Sequence, residues 1–331
     1  MQMKLLVVTN NPDRASFKQR IGVYLDTLKT GGINCEVVKM PGGSLARRRL
    51  YKRAADFDGV FLHKKGLNPL DAMWLGKYAG RIIFNFDDAV MYSDKNPDRY
   101  SRSHTIPFRR SVRLADLVIC GSSYLADHAR PFNSNVEVLP LGLSVSDYMV
   151  DTVAASDDTV RLVWVGSQST LSYLEEIKPA IEQVGERFEN VALRVICEDF
   201  PKLEHVSVEK RPWSRETLGA DLASSNIGLA PLPDNPFTRG KCSFKVLEYS
   251  AAGLPVVASP VGTNAEHVRD GITGFLAQSD DEWIARITQL IESPKLREDM
   301  GKQGREFARE FDVSAIGDRL TNLIRDCLES K

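Results

Sequence analysis

Short runs of consecutive apolar residues alternate along this 331-residue chain with longer segments in which apolar residues recur every three or four positions. The runs are typical of strands buried on both faces, and the longer segments are typical of helices with one apolar side. Regular alternation of the two predicts parallel sheets covered by helices, which is the α/β class. The predicted strands are Lys4–Thr9, Glu36–Met40, Gly59–His63, Arg81–Phe86, Leu117–Cys120, Val136–Pro140, Arg161–Val165, Ala192–Cys197, Ile227–Ala230 and Pro255–Ala258.

The helices follow from the same periodicity together with start and stop residues, such as Pro69 at a helix start and Gly253 after a helix end. By contrast, residues 93–103 show no apolar period and are expected to be disordered. Helices are predicted over Phe17–Lys29, Leu45–Phe57, Pro69–Tyr78, Arg109–Leu114, Ser122–Pro131, Leu171–Phe188, Ser214–Ala223, Phe244–Ala252, Glu282–Ile291 and Lys295–Glu310, with a last one from Asp312 to about Leu328.

Residues 144–159 break the alternation, because small and acidic residues occur there without an apolar period. We interpret this stretch as a linker, and the strand–helix pattern restarts after it. A chain of this length is also too long for one small core. We therefore expect two Rossmann-like domains, residues 1–148 and 149–311, and a C-terminal helix over 312–331 that packs back toward the first domain.

The formal net charge is −1, but the charge is divided unevenly along the chain. Residues 1–150 hold 22 Lys and Arg against 14 Asp and Glu, whereas residues 151–331 hold 21 against 30. The basic half favours an anionic partner, such as an acidic or lipid-linked acceptor or an anionic membrane surface. No recognition motif for nucleic acid accompanies the charge, so nucleic acid is not an expected partner. The clearest cluster, which a solvated helix face would also explain, is Arg47, Arg48, Arg49, Lys52 and Arg53.

Membrane and redox signals are weak along the whole sequence. No run approaches the roughly 18 apolar residues of a membrane-spanning helix, and the first residues lead directly into a strand without the shape of a signal peptide. The five scattered cysteines lack the spacing of metal ligands and predict free thiols in a reducing compartment. The expected location is the cytoplasm, with peripheral attachment to the inner face of the membrane as an open alternative.

The stretch Lys241–Pro260 carries the clearest chemistry. Ser243 can cap a helix that Gly253 ends, and a buried strand follows. The first N–H groups of a helix have no internal partner and bind anions, and Lys241 and Lys245 add positive charge there. One turn further, Glu248 can accept two hydroxyl groups of a ribose. One short helix therefore offers a phosphate end and a sugar end.

The order Lys245-x-x-Glu248-Tyr-x-Ala-x-Gly253-x-Pro-Val-Val, followed by Gly262, resembles the donor-site signature of retaining glycosyltransferases of the GT-B fold, family four or group 1. The resemblance implies two Rossmann-like domains facing across a cleft, with the acceptor bound by the first and a nucleotide sugar by the second. It also implies that Glu248 binds the nucleotide ribose. The ligand rule for open α/β sheets separately places a site at the loops after the strands.

The donor site expected from the resemblance departs from the family pattern at two points. No basic residue follows Gly166 before Lys178, where many relatives have an arginine and a lysine for the diphosphate. Gly240 stands where the family often has a first glutamate facing the transferred sugar. The predicted donor-binding residues are Gly166, Ser167, Ser169, Thr170, Arg239, Lys241, Lys245, Val246, Glu248, Gly262 and Thr263.

Acceptor binding is expected at the loops that follow the strands of the first domain. Asp87 and Asp88 end the fourth strand, and one of them is predicted to orient the acceptor hydroxyl or take its proton. Capping of the next turn is the structural alternative for both. Together with Lys245, these are the predicted catalytic residues, and no metal ligand or bound cofactor is expected. The predicted acceptor-binding residues are Asn10, Arg14, His63, Lys64 and His104.

The function expected from the resemblance is transfer of a sugar from a UDP or GDP donor to a hydroxyl of a glycan, glycolipid or small glycoside, as in the synthesis of cell-envelope polysaccharide. Stereochemical retention comes from the family alone, and independence from metal is expected because Lys245 and helix N-termini supply positive charge. A sugar-nucleotide epimerase of the same fold, or a non-catalytic family member, remains open. The sequence leaves the donor, the acceptor and the oligomeric state undetermined.

Overall fold

A computed structural model describes residues 2–150 and 158–330. In these residues the chain forms two compact units, each built on a six-stranded sheet whose paired strands are all parallel. The first unit comprises Met1–Gly142, Asn235–Cys242 and Val313–Lys331, and the second comprises Leu143–Asp234 and Ser243–Asp312. The fold class predicted from the sequence is confirmed.

The sheet of the first unit consists of apolar runs that are buried on both faces, with helices packed on either side. The strands are β1 (Met3–Thr9), β2 (Ile33–Lys39), β3 (Gly59–His63), β4 (Ile82–Phe86), β7 (Leu117–Cys120) and β8 (Val136–Val138), and a separate hairpin contains β5 (Tyr92–Ser93) and β6 (Asn96–Tyr100). The strand order in the sheet is β2-β1-β3-β4-β7-β8. This order reverses direction between β1 and β3, which is where ligands bind in open α/β sheets.

The helices of the first unit lie on both faces of this sheet. They are α1 (Ala15–Arg20), α2 (Leu25–Thr30), α3 (Ser44–Arg53), α4 (Pro69–Tyr78), α5 (Arg102–Leu114) and α6 (Ser123–Ala129), with α14 (Val313–Glu329) joining from the end of the chain. The last helix packs beside α2, and Arg325 Nη2 donates to the Gly31 carbonyl oxygen over 2.9 Å. The Asn68 side chain caps α4 by accepting from the backbone N–H of Asp71, as expected before Pro69.

Two predictions in this unit are wrong. The single helix predicted over Phe17–Lys29 is broken, because Ile21 leaves helical geometry and a 3₁₀ turn over Gly22–Tyr24 separates α1 from α2. Residues 93–103, expected to be disordered, contribute to the hairpin and to the start of α5. The hairpin carries no apolar alternation for the sequence to show, because β5 has only two residues and β6 is largely exposed.

The sheet of the second unit surrounds a core that contains the fully buried Trp164 and Trp283. The strands are β9 (Val160–Val165), β10 (Val191–Ile196), β11 (Ser207–Arg211), β12 (Ile227–Ala230), β13 (Val256–Ala258) and β14 (Gly274–Leu276). Their order is β11-β10-β9-β12-β13-β14, with its reversal between β9 and β12. Two edge strands were not predicted, since β11 is largely exposed and β14 has only three residues.

The helices of the second unit include one correction. The predicted helix over Leu171–Phe188 is two helices, because Pro179 has no N–H to donate to the preceding turn. The helices are α7 (Leu171–Glu176), α8 (Lys178–Arg187), α9 (Arg215–Ala223), α10 (Phe244–Ala252), α11 (Thr263–His267), α12 (Asp280–Glu292) and α13 (Pro294–Arg309). None of the helices in the described residues is both long and apolar enough to cross a membrane.

The segments that join the units differ from the sequence interpretation. Part of the predicted linker over 144–159 is ordered, since Val145–Tyr148 forms a 3₁₀ turn of the second unit. Residues 151–157 of that linker lie outside the described residues. Asn235–Cys242, predicted within the second domain, groups with the first unit, where Tyr124 donates to the Pro236 carbonyl oxygen over 2.9 Å. Arg239 and Lys241 therefore belong to the first unit.

Candidate functional site

A cavity of about 510 Å³ lies in the first unit, at the carboxyl ends of its central strands. Four of the predicted site residues line it, namely Asn10 after β1, Lys64 after β3, Asp88 after β4 and His104 at the start of α5. The unpredicted hairpin contributes Tyr92 and Asp94 to the wall. Because parallel strands present their carboxyl ends at one edge, the fold itself gathers these loops.

Two adjacent carboxylates in this unit share one lysine. Lys64 Nζ lies 2.7 Å from Asp87 Oδ1 and 2.6 Å from Asp88 Oδ2, and Lys241 Nζ lies 3.2 Å from Asp88 Oδ1. Asp87 is buried, and this burial raises its pKa against the opposing charge of Lys64. Burial would also raise the pKa of Asp88, but Lys64 and Lys241 outweigh it and lower that pKa. Asp88 therefore stays ionised at the cavity.

Lys64 holds this position in an unusual backbone conformation. Its φ of 50° lies in the left-handed region, which costs about 1 kcal/mol or more for a residue with a side chain. Burial would lower the pKa of Lys64, but Asp87 and Asp88 raise it well above its ordinary range. The turn after β3 thus holds a permanent cation between two carboxylates.

The other predicted acceptor residues do not all reach the cavity. His63 is buried beneath it, with Nδ1 3.1 Å from the Thr9 hydroxyl and Nε2 4.0 Å from Asp87 Oδ1. Burial, with the charges of Lys64 and Arg20, lowers the pKa of His63 to about 3, so its ring is neutral. Asp87 and Arg14 are not among the cavity residues, while His104 is exposed and held by the Ser101 hydroxyl at 2.9 Å.

The start of α10 is built differently from the sequence prediction. Ser243 does not cap the helix, because its backbone is left-handed with a φ of 47° and its hydroxyl is used elsewhere. That hydroxyl donates to Asn264 Oδ1 and accepts from the Thr263 hydroxyl, both over 2.6 Å. Gly262, with a φ of 54°, precedes Thr263. These bonds join the start of α10 to the start of α11.

Glu248 lies in the middle of α10 and is only 7% exposed. The Tyr148 hydroxyl, 100 positions away in sequence, donates to Glu248 Oε1 over 2.9 Å. Burial raises the pKa of Glu248 to about 7, although the bond from Tyr148 and the charge of Lys245 act in the opposite direction. Near neutral pH this carboxyl group is therefore poised between its two protonation states. In its ionised state the carboxylate can accept hydrogen bonds from hydroxyl groups.

Lys245 lies one turn before Glu248 on the same helix, and its Nζ is 5.3 Å from the centroid of the Trp164 ring. A cation over an indole face is stabilised by about 1 kcal/mol without losing its charge. Trp164 lies on β9, and Gly166 directly follows that strand. A Cβ atom at Gly166 would clash with the Trp164 ring. This close approach explains why glycine stands at the end of β9.

The loop after β9 forms a closed turn among its own side chains. The Ser167 backbone N–H donates to the Thr170 hydroxyl over 3.2 Å, and the Ser167 and Ser169 hydroxyls lie 2.9 Å apart. Val246 is fully buried in the apolar core of the second unit, so its side chain offers no contact to a sugar donor.

Most of the residues predicted to bind the sugar donor lie in the second unit. They are Gly166, Ser167, Ser169, Thr170, Lys245, Val246, Glu248, Gly262 and Thr263.

Sequence reasoning missed three contributors to these sites. Tyr148 lies in a stretch interpreted as a linker, and nothing in its local pattern connects it to Glu248. Asn264 anchors Ser243, and Tyr92 lies on the unpredicted hairpin. Within the described residues, no three His, Cys, Asp or Glu side chains converge as a metal site would require.

One part of the chain matches a known protein family. Residues 240–307 match the family model described as glycosyl transferases group 1. These residues include α10 with Lys245 and Glu248, the strand after it, and the Gly262 turn. The match therefore covers the motif from Lys245 to Gly262 that was identified in the sequence.

Curated relatives and solved structures agree with this match. The chain is 33% identical over 84 residues to a D-inositol 3-phosphate glycosyltransferase from Corynebacterium aurimucosum, which is 25% of this chain and about a fifth of that protein's length. Sucrose-phosphate synthase from Thermosynechococcus elongatus is similar in structure, with a TM-score of 0.74, 14% identity and 98% of both chains covered. So is HepE of Anabaena in complex with UDP-glucose, with a TM-score of 0.70, 16% identity, and 98% of this chain and all of that one covered.

The two structural similarities cover nearly the whole chain at low identity, so they show a shared fold. The sequence match is local and coincides with α10 and the elements after it. Residues 240–307 thus match the model of the glycosyl transferases group 1 family, in a chain that has the GT-B fold.

Proposed function

We propose that this protein is a glycosyltransferase that moves a sugar from a nucleotide-diphosphate donor to an acceptor hydroxyl. The observation that carries the proposal is the placement of Lys245 in the first turn of α10 and of Glu248 one turn further along the same helix, within the segment that matches the family. A cation and a hydroxyl-accepting carboxylate at this spacing suit the diphosphate and the ribose of one ligand. The motif predicted from the sequence is thus kept as the proposed donor site.

The proposed chemistry assigns the departing diphosphate to Lys245 and to the backbone N–H groups at the start of α10. Fixed positive charge at the place where negative charge develops lowers the barrier without reorganisation. The Gly166–Thr170 turn and the Gly262–Thr263 turn are proposed as further donor contacts. We propose retention at the anomeric carbon and no metal requirement, as the family resemblance and Lys245 suggest.

We propose that the acceptor binds in the cavity of the first unit. Asp88, Asn10, Lys64 and His104 present hydrogen-bonding groups there. A carboxylate with a lowered pKa is a weak base, so the role proposed for Asp88 is to orient the acceptor hydroxyl rather than to retain its proton. Asp87 and His63 support this wall from beneath.

The donor proposed is a UDP sugar, since HepE, which has the same fold, is in complex with UDP-glucose. The acceptor proposed is a glycan, a lipid-linked glycan or another polyol, and the relative named D-inositol 3-phosphate glycosyltransferase is compatible with a polyol acceptor. The place of action proposed is the cytoplasm, with synthesis of cell-envelope polysaccharide as the setting. A GDP sugar is the alternative donor.

The experiment that tests this function begins with binding of UDP, GDP and ADP, measured by calorimetry on the wild-type protein and on Glu248→Ala. We expect one nucleotide to bind, and the variant to lose at least tenfold in affinity. Lys202→Ala, an exposed lysine of the second unit, is the control and should bind like the wild type. Binding of none of the three nucleotides to the wild type would contradict the proposal.

A second measurement separates transfer from epimerisation. The corresponding nucleotide sugar is incubated with and without a panel of sugar and polyol acceptors, and free nucleotide diphosphate is measured. Acceptor-dependent release supports a transferase, whereas acceptor-independent release of a changed sugar indicates an epimerase. The anomeric configuration of the product, read by NMR, tests retention, and activity that persists in EDTA tests independence from metal.

We also propose that an anionic membrane surface is a partner of the first unit. Leu45 on α3 is 72% exposed, and the exposed Arg48, Arg49 and Lys52 follow it by three, four and seven positions, on the same side of that helix. Met73 on α4, which packs beside α3, is 56% exposed. The predicted basic cluster is smaller than expected. Arg47 forms a salt bridge with Asp71 over 3.1 Å, and Arg53 forms one with Glu36 over 2.6 Å.

Vesicle flotation tests this partner. We expect binding to vesicles that contain phosphatidylglycerol but not to pure phosphatidylcholine vesicles, and loss of binding in Arg48→Glu with Arg49→Glu. Arg187→Glu with Lys202→Glu makes the same charge change on exposed residues of the second unit and should leave binding intact. Equal flotation of the two double variants would contradict the proposed surface.

A further inference from the structure

The 3₁₀ turn over Val145–Tyr148 is held against the second unit at several points. The Val145 backbone N–H donates to Asp312 Oδ2 over 3.2 Å, and the Ser144 hydroxyl donates to Asp147 Oδ1 over 2.9 Å. A side chain at Gly219 on α9 would clash with the Asp147 carbonyl oxygen, so glycine permits this close approach. The turn is therefore a fixed structure and not a flexible connection.

This turn delivers one polar atom to α10. Tyr148 is 8% exposed and its ring packs in the apolar cluster that contains Val246 and Leu247. Its hydroxyl donates to Glu248 Oε1 over 2.9 Å. Since the proton of the phenol points at the carboxylate, the bond favours the ionised form of Glu248 and fixes the orientation of the carboxyl group.

We propose that Tyr148 is a positioning residue for the donor site, which holds one carboxylate oxygen of Glu248 so that the charged group stays oriented toward hydroxyl groups of the nucleotide. The inference rests on the proposed function, because it assumes that Glu248 contacts the donor. It assigns a role to a segment that the family match over 240–307 does not include. Tyr148 itself makes no contact with the reacting atoms in this proposal.

Few other titratable groups act on Glu248. Lys245 on the same helix attracts the carboxylate, and its charge lowers the pKa of Glu248. From α13, Arg305 donates to the Ala252 carbonyl oxygen at the opposite end of α10, and from α11, His267 is kept neutral because burial lowers its pKa to about 4. Loss of the phenol is therefore expected to leave burial opposed by Lys245 alone.

Besides Glu248, the charged groups near Tyr148 are Asp147 and Arg215, which face each other. Asp147 is its neighbour, and Arg215 on α9 lies 3.6 Å from Asp147. Tyr249, the residue after Glu248, uses its hydroxyl elsewhere, since it accepts from the Val165 N–H and donates to the Leu229 carbonyl oxygen. Tyr148→Phe consequently removes one defined hydrogen bond and retains the packed ring.

The first arm of the test needs no ligand. The carboxyl carbon of Glu248 is followed by NMR from pH 5 to 9 in protein with ¹³C-labelled glutamate, and its signal is assigned by its absence in Glu248→Gln. The wild-type pKa is about 7, and loss of a hydrogen bond to the carboxylate is expected to raise it by about one unit in Tyr148→Phe. An unchanged pKa would overturn the proposal.

The second arm measures binding of UDP-glucose by calorimetry at pH 7.0 and pH 8.5. If only ionised Glu248 binds, a rise of about one unit in its pKa weakens binding roughly fivefold at pH 7.0 and only about 1.3-fold at pH 8.5. Tyr100→Phe removes an exposed hydroxyl of the first unit and should change neither value. Equal weakening at both pH values would indicate a structural role, and tighter binding would indicate that Tyr148 competes with the ligand.

Failure of the inference is distinguishable from failure of the proposed function. If wild-type protein does not bind UDP-glucose at either pH, the proposed donor is wrong, and the NMR arm still decides whether Tyr148 controls Glu248. If the wild type binds and Glu248→Gln weakens binding while Tyr148→Phe does not, the donor site stands and the role of Tyr148 is overturned.

Discussion

Three carboxyl groups are buried or partly buried, but their partners differ. They are Asp87 and Asp88 in the first unit and Glu248 in the second. Lys64 lies within 2.7 Å of an oxygen of each aspartate, and Lys241 adds a second cation at Asp88. Glu248 receives a hydrogen bond from the neutral phenol of Tyr148 instead. The pKa of Asp88 is accordingly lowered, whereas that of Glu248 rises to about 7.

Burial alone therefore does not decide the charge of a carboxyl group. At Asp88 two cations outweigh the lost hydration and lower the pKa, whereas at Asp87, which is buried more deeply, burial outweighs Lys64 and raises it. At Glu248 the hydrogen bond from a neutral phenol and the charge of Lys245 offset only part of the effect of burial. Asp88 is therefore a fixed negative charge of the first unit. Glu248 can instead exchange a proton near neutral pH, and ligand binding there is expected to be coupled to that exchange.

Removal of the shared cation gives the largest expected effect. Lys64→Met leaves Asp87 and Asp88 without their nearest charge, and breaking such a buried pair costs about 3 kcal/mol of unfolding free energy. The loss is expected to be greatest at pH 8 and to shrink toward pH 5, because protons on the carboxyl groups then replace the lysine. Urea unfolding across this pH range measures it.

Lys95→Met on the exposed hairpin is the control for this variant, and it is expected to stay within about 0.5 kcal/mol of the wild type. Addition of Asp87→Asn to Lys64→Met should restore part of the lost stability. A loss that does not vary with pH would show that the packing of the lysine stem, and not its charge, is what matters.

Much of the fold was predictable because its determinants are local. Buried parallel strands appear as continuous apolar runs, so β3 and β12 were predicted at their observed bounds. The start of α4 was visible in Pro69. The hairpin over residues 92–100 was not, because its first strand is short and its second is largely exposed, so neither shows an apolar pattern. The edge strand β11 was missed because it too is largely exposed.

The candidate sites show the same limit. The spacing of Lys245 and Glu248 is local and was visible in the sequence, as was the carboxylate pair after β4. The partners of these groups were not, since Tyr148 is 100 positions from Glu248 and Lys241 is 153 positions from Asp88. The protonation state of a buried group depends on such distant partners, so sequence predicted the residues but not their charges.

Replacement of Glu248 by its neutral isostere is expected to stabilise the protein. The folded pKa of about 7 exceeds the ordinary value of 4.5, so ionisation of Glu248 costs folding free energy, and this cost grows from pH 4.5 to pH 7 and is constant above it. Glu248→Gln removes the cost and should add up to about 3 kcal/mol at pH 8 and almost nothing at pH 4. Urea unfolding at the two pH values checks this.

A gain of the same size at pH 4 and pH 8 would contradict the assigned cause, since a titration effect must vanish below the unfolded pKa. The control is Gln289→Glu on the exposed side of α12, which makes the reverse exchange at a position in contact with water. That variant is expected to change the unfolding free energy by less than about 0.5 kcal/mol at either pH, because an exposed carboxyl group keeps its hydration in the folded state.

The same chemical change in the first unit is expected to act in the opposite direction, with the smallest effect. Asp88→Asn removes a charge that Lys64 and Lys241 stabilise, so it should lower the unfolding free energy at pH 8. A third of the Asp88 side chain is exposed, and water screens these pairs, so the expected loss is about 1 kcal/mol. Because the folded pKa is lowered, this loss is constant above the ordinary value of 3.8 and shrinks as the pH falls from there toward the folded pKa, so urea unfolding should show a smaller loss at pH 3 than at pH 8. If Asp88→Asn instead stabilised the protein as Glu248→Gln is expected to, the two lysines would not offset the desolvation of Asp88, and the contrast between the units would be wrong.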